Sequence, residues 1–180
     1  MPAPPAHLLG PDFFDRPADT VARQLLGQWL VVRDSNGKIM RHVVHETEAY
    51  LGAYDLACHG RSGPTQRNGT MFGPAGKWYV YRCYGLHWML NIVTGPKGLP
   101  AAVLLRGVGQ WSGPGRLTKG LAITGGFNGL AATRKSGLWL AGSGMAVSRA
   151  LVHCTPRIGV GYAGKWAKKL LRFVVDPAAL

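Results

Sequence analysis

The sequence predicts an α+β fold: a single compact domain on a mainly antiparallel, curved β-sheet, with a protruding β-hairpin and a few short helices. Three observations lead there. Short runs of β-branched and aromatic residues recur from Gln28 to Arg106, parted by tight Gly-, Asn- and Pro-containing turns, which is the pattern of antiparallel strands in series. Helical periodicity is confined to brief stretches. The chain has 180 residues, 47% of them apolar and 16% charged, enough to bury one core without disulfides or a structural metal.

The elements follow in order. Residues 1–12, rich in Pro and Ala at their start, read as a flexible N-terminal arm, and residues 13–180 as one domain. Asp15-Arg16-Pro17 has the form of an N-cap and helix start, and Val21, Leu25 and Leu26 give an apolar stripe that stops at Gly27. Gln28–Arg33 reads as a strand, Asp34-Ser35-Asn36-Gly37 as a hairpin turn, and Lys38–Tyr50 as a long returning strand. Residues 51–76 have little periodicity and read as a long loop, a kind of segment that in compact domains often carries function. Lys77–Cys83 is a strand, Tyr84-Gly85 a turn, and Leu86–Thr94 the next strand. Gly95–Gly98 turns the chain into Ala101–Arg106, a short helix follows Gly115, and Trp139-Leu140 and Leu170–Val175 are further strand pieces.

Charge narrows the function. Lys and Arg number 21 against eight Asp and Glu, a net charge of +13. From Cys58 to Val175 there is no acidic residue, while 16 Lys and Arg fall there. A solvated surface ordinarily mixes signs, so this bias points to a polyanionic partner, nucleic acid first and an anionic membrane surface second; a lineage with basic proteins is the plainer explanation. No apolar run is long enough to span a membrane, and Met1–Leu9 lacks the basic start and apolar stretch of a secretory signal. Cys58, Cys83 and Cys154 are an odd number without tight spacing, which fits a reduced, cytoplasmic compartment. The adjacent pairs Cys58-His59 and His153-Cys154 do not have zinc-site spacing, so no metal is expected. No phosphate-binding loop, dinucleotide fingerprint or nucleophile elbow is present.

Few residues remain to carry chemistry. Glu46 and Glu48, the only glutamates, stand two apart in a predicted strand and so share a face with each other and with Tyr50. An ionised carboxylate among cations can take a proton from water or steady a cationic transition state; a structural ion pair explains the pattern as well, and spacing does not choose between the two. Asp55 is a further candidate acid, although a loop-forming role is the favoured reading there. Trp78, Tyr79, Tyr81, Tyr84 and Trp88 crowd eleven residues, with Tyr79 and Tyr81 on one strand face and Trp78 and Val80 on the other. A tyrosine at a hairpin tip between Arg82 and Gly85 suits wedging between bases, or else a half-buried turn.

At Glu46-Thr47-Glu48-Ala49-Tyr50-Leu51-Gly52 the chain resembles the alkyladenine (3-methyladenine) DNA glycosylase family. The resemblance runs on in one order through His59, Arg67–Phe72, Tyr79–Tyr81, Tyr84-Gly85, Asn91-Ile92, Val103–Arg106, Gly113–Leu117 and Arg157–Gly161. It implies a monofunctional enzyme without cofactor or metal that acts on double-stranded DNA containing damaged purines; a monomer is expected, since one flipped base needs one active site. The purine would be flipped from the duplex, since a stacked base is out of reach. By resemblance, Glu48 activates the water and Arg106 helps hold that water and the nearby phosphate. Tyr50, His59 and Tyr81 stack on the flipped base, with Met71 also in its pocket. Asn91 crowds the 2-amino group of normal guanine, the backbone at Val160 lines the water site, and Tyr84 intercalates. The chain departs from the family at Lys165, where an acidic residue is usual, at Leu170 in place of a common proline, and over Gly107–Trp111, where an acidic Pro-containing stretch is frequent. A module that binds damaged DNA without cutting it is the second reading.

Overall fold

The computed structural model describes residues 7–180. Nine strands form one open, antiparallel sheet among these residues: β1 (Trp29–Arg33), β2 (Ile39–Tyr50), β3 (Trp78–Cys83), β4 (His87–Thr94), β5 (Ala101–Val108), β6 (Trp111–Ser112), β7 (Leu138–Ala141), β8 (His153–Thr155) and β9 (Arg172–Val174). The main path runs β3-β4-β5-β2-β1-β7; β6 folds back on β5, and the pair β8–β9 lies against β2. Three short helices accompany it: α1 (Pro11–Phe14), α2 (Ala18–Gln24) and α3 (Pro114–Gly120). The expected α+β architecture is what the chain adopts. No helix among the described residues is long and apolar enough to cross a membrane.

Strand alternation splits the sheet into two environments. Trp78 and Val80 of β3, Leu90 and Ile92 of β4, Val103 and Leu105 of β5, and Val44 and Ala49 of β2 enter the main core with Val21, Ala22, Leu25 and Leu26 of the α2 region and Leu117 of α3. A smaller cluster unites Tyr79, Val93 and Ala102 with Cys58 and Met71 from the 51–76 segment. That segment is not wholly irregular, since it contains 3₁₀ turns at His59–Ser62 and Gly69–Phe72.

Several local features depart from what the residues alone predict. Asp15 does not cap α2: its backbone N–H closes α1 on the Pro11 carbonyl at 2.8 Å, and Pro17 occupies the N-cap of α2. Of the N-terminal arm, residues 1–6 lie outside the described residues. Beyond them, the Leu9 N–H donates to Leu140 of β7 at 3.0 Å, so the chain is already tied to the sheet there.

The junction of β2 and β5 is irregular. Val44 pairs with Val108, Glu46 with Gly107 and Thr47 with Leu105, leaving His45 and Arg106 without opposite partners. Two facing bulges of this kind kink both strands and re-aim their side chains. Gly107 is required at the kink, because a Cβ there would come within 2.7 Å of the Glu46 Cβ. Past the bulges, β2 takes β9 as a second neighbour over Glu46–Glu48.

Candidate active site

The sheet face away from the main core opens into a cavity of about 620 Å³. Its walls come at every second residue of four strands: Glu48 and Tyr50 of β2, Tyr79 and Tyr81 of β3, Met89 and Asn91 of β4, and Ala102, Leu104 and Arg106 of β5. The 51–76 segment closes one side with His59, Arg67 and Met71, and the turn after β8 closes another with Ile158 and Val160. Tyr84 stands at the rim, 92% exposed. All nine site residues expected from the sequence therefore line one cavity.

Glu48 is its most enclosed ionisable group, with a side chain 0% exposed. Its Oε1 accepts from the Ile158 backbone N–H at 2.8 Å and lies 3.4 Å from Arg106 Nε, and its Oε2 accepts from the Tyr50 hydroxyl at 2.9 Å. Burial pushes the Glu48 carboxyl above the usual carboxylate range, although Arg106 and these two donors pull it down. Glu46 has the opposite balance. Burial works against its charge, but hydrogen bonds from Arg172 Nε at 2.6 Å and Arg106 Nε at 2.9 Å outweigh it and hold the carboxyl below the usual range. Arg106, aimed by its bulge, thus touches both glutamates.

The aromatic wall is a packed set. Tyr79 and Tyr81 stack with centroids 5.2 Å apart, and His59 meets Tyr81 edge-on at 4.6 Å. His59 Nδ1 is 3.1 Å from the Tyr79 hydroxyl, and burial, with Arg67 adding to it, keeps the imidazole pKa below its ordinary value. Arg67 lies against the Tyr81 ring at 5.1 Å. The Asn91 amide donates to the Tyr79 and Met89 carbonyls at 3.0 and 3.3 Å, so its orientation is fixed by backbone. Among the described residues no three His, Cys, Asp or Glu side chains gather as a metal ion would need.

The sequence that builds this cavity has known relatives. Residues 12–112 and 109–179 match the methylpurine-DNA glycosylase family profile. A Myxococcus xanthus protein with the provisional name 3-methyladenine DNA glycosylase is 43% identical, covering 91% of this chain and 87% of the relative. Similarly named proteins of an Anaeromyxobacter species and Legionella pneumophila are 41% and 38% identical, covering 93% and 91% of this chain and 89% and 91% of their own. The chain belongs to the methylpurine-DNA glycosylase family. It is a DNA glycosylase, a repair hydrolase acting on N-glycosyl bonds, and its positive charge suits the DNA substrate.

Sequence reasoning passed over several residues in and around this glycosylase cavity. Asp55, read as a loop former, is a fully buried partner of Arg157. The Ile158 N–H on Glu48 is a backbone group and leaves no signature in side-chain identity. Glu46 looked equivalent to Glu48 by spacing; Arg172 on Glu46, and the Ile158 N–H and Tyr50 hydroxyl on Glu48, separate them. Tyr79 shares a strand face with Tyr81, so alternation could have placed it in the wall, whereas Arg67 carries no local mark of a cavity residue.

Proposed function

We propose that this glycosylase flips damaged purines of the 3-methyladenine, 7-methylguanine, hypoxanthine and ethenoadenine class out of duplex DNA and hydrolyses their N-glycosidic bond, with Glu48 as the base that activates water. The observation that carries this reading is the position of Glu48: an unexposed carboxylate, gripped at both oxygens, facing the same cavity as Tyr50, His59 and Tyr81.

In this scheme the everted purine enters between Tyr50 on one side and the His59–Tyr81 wall on the other, with Met71 filling the remaining apolar space. Water held near Glu48, Arg106 and the Val160 backbone attacks the C1′ carbon. The C–N bonding pair leaves with the base, and Glu48 accepts the proton from water. A burial-raised carboxyl is a better proton acceptor than an ordinary one and still ionises as pH rises. Arg106 balances the negative charge of Glu48 and directs remaining guanidinium N–H groups toward a backbone phosphate. Asn91, held rigid by two carbonyls, crowds the 2-amino group of guanine and so disfavours the normal base. Tyr84, exposed at the hairpin tip, fills the gap left in the stack. No lysine lines the cavity to serve as an amine nucleophile, which fits a single hydrolytic step.

A module that only binds damaged DNA would have no use for a desolvated carboxylate, which is costly to bury. The test is excision from duplex oligonucleotides containing hypoxanthine or ethenoadenine. Glu48→Gln should lower single-turnover excision by about 10²–10⁴-fold while retaining binding to the same duplex. Wild-type excision by this variant would remove Glu48 from the mechanism.

A further inference from the structure

Asp55 and Arg157 form an ion pair whose side chains are both 0% exposed. Arg157 Nη1 meets Asp55 Oδ2 at 2.6 Å and Nη2 meets Oδ1 at 2.8 Å. The same Nη1 donates to the Ala49 carbonyl at 2.9 Å, and the Asp55 oxygens accept from the Leu51 and Ala57 N–H groups at 3.1 and 3.0 Å. The pair therefore grips the chain on both sides of Tyr50 and ties it to the turn after β8. Neither side chain lines the cavity.

Stability alone is a poor reason for such a pair. Desolvating two charges costs about what their attraction returns, and apolar side chains of similar volume commonly do as well. Arg157 Nε is moreover buried without a partner, so the guanidinium is held by something other than its own full satisfaction. What the pair does geometrically is set two groups on Glu48. The residue after Arg157 gives its N–H to Glu48 Oε1. The guanidinium carbon of Arg157 sits 4.7 Å from the Tyr50 ring centroid, and that ring's hydroxyl donates to Glu48 Oε2.

We propose that Asp55–Arg157 is the positioning pair of the general base, fixing the Ile158 N–H and the Tyr50 hydroxyl on the two oxygens of Glu48 so that its carboxylate is both aimed and ionisable. The proposal rests on the reading of Glu48 as the base. The groups facing Glu48 are Arg106 from β5, Tyr81 from β3, Tyr50 of its own strand and the Arg157 turn, with Glu46 beside it. Of the influences that lower the Glu48 pKa, only Arg106 stands apart from this pair; the Ile158 N–H, the Tyr50 hydroxyl and the Arg157 charge all depend on it.

One variant removes one of these donors and leaves the ion pair in place, and a second alters the pair itself. Ile158 and Gly159 form a turn in which Gly159 has φ +77°, so Ile158 occupies the position that accepts proline. Ile158→Pro deletes the N–H alone, and Arg157→Lys keeps the charge but loses the bidentate grip and the guanidinium contact with the Tyr50 ring. Single-turnover excision of hypoxanthine is measured against pH for each variant that folds by circular dichroism. The expected result is an acidic limb displaced upward by about one pH unit with a lower plateau. For Arg157→Lys, affinity for duplex containing an uncleavable abasic analogue should be unchanged. A folded Ile158→Pro or Arg157→Lys with the wild-type acidic limb and plateau would overturn the proposal. Failure of the underlying reading shows differently, as undiminished excision by Glu48→Gln.

Discussion

Glu46 and Glu48 stand two residues apart on one strand and end in opposite electrostatic situations. Glu46 is drawn down by Arg172 and Arg106, so its ionised form favours the folded state. That contribution is complete above the carboxyl's unfolded pKa and is lost as pH falls through the lower folded value. Glu48 is pushed up by burial, so at neutral pH its ionised form is a burden on the fold. Glu48→Gln should therefore raise Tm by about 2–4 °C, a gain of order 1 kcal/mol in a domain this size, in the same variant that loses activity. Thermal melts at pH 7 check this, and a lower Tm would contradict the assigned balance. The amide can keep the Ile158 bond, and the Tyr50 hydroxyl can turn from donor to acceptor. A second residue-scale expectation concerns Arg67, which lies against Tyr81 with no acidic partner among the described residues and joins Arg82 and Arg106 around a single cavity carboxylate. Such a rim repels cationic bases. Arg67→Gln should raise capture of 7-methylguanine relative to hypoxanthine by about three- to fivefold, since the exposed charge is partly screened. An unchanged ratio in paired kcat/KM measurements would count against it. Which glutamate faces which fate was beyond spacing, because the arginines that decide it come from β5 and β9, 60 and 126 residues away.

At the scale of elements, the β3–β4 hairpin holds its tip tyrosine in an unfavourable backbone conformation. Tyr84 has φ +50° and Gly85 φ +68°, the central positions of the Cys83–Leu86 turn, where Asn-Gly is the relaxed choice. Tyr84→Asn should stabilise the protein by about 1 kcal/mol and weaken capture of flipped bases more than binding to undamaged duplex. Denaturant melts together with paired binding assays would show the split; equal losses on both duplexes would argue against intercalation. Gly107→Ala acts on the facing bulges. The added methyl crowds His45 and Glu46, and it should cost about 1–3 kcal/mol and lower excision by displacing Arg106, read from unfolding and single-turnover rates. The main strands were legible because their alternation is long and their turns are marked by Asn, Gly and Pro. The bulges were not, since a skipped residue leaves β-branched patterning intact. The two- and three-residue strands β6 and β8 are too short to show a period. Asp15 was misread because Pro17, which lacks an N–H, starts α2 without a side-chain cap. The Asp55–Arg157 pair spans 102 residues and has no local trace.

For the whole molecule, the acid-free stretch from Cys58 to Val175 leaves a strongly positive body around one cavity. Binding to undamaged duplex should fall with salt at a log–log slope of about −3 or steeper, as expected for some four neutralised phosphates. A slope near zero in titrations over 50–200 mM salt, roughly the range where such effects are large, would separate the charge from DNA binding. The paired irregularity at His45 and Arg106 also governs where the molecule tolerates added chain. It divides β2 into two lengths with separate registers, Ile39–Val43 set by β1 and Val44–Tyr50 set by β5 and β9. Residues added to the Asp34–Gly37 loop can be absorbed in the first length without sliding Glu48 or Tyr50, which makes that loop the natural attachment point for a fluorophore or a surface tether.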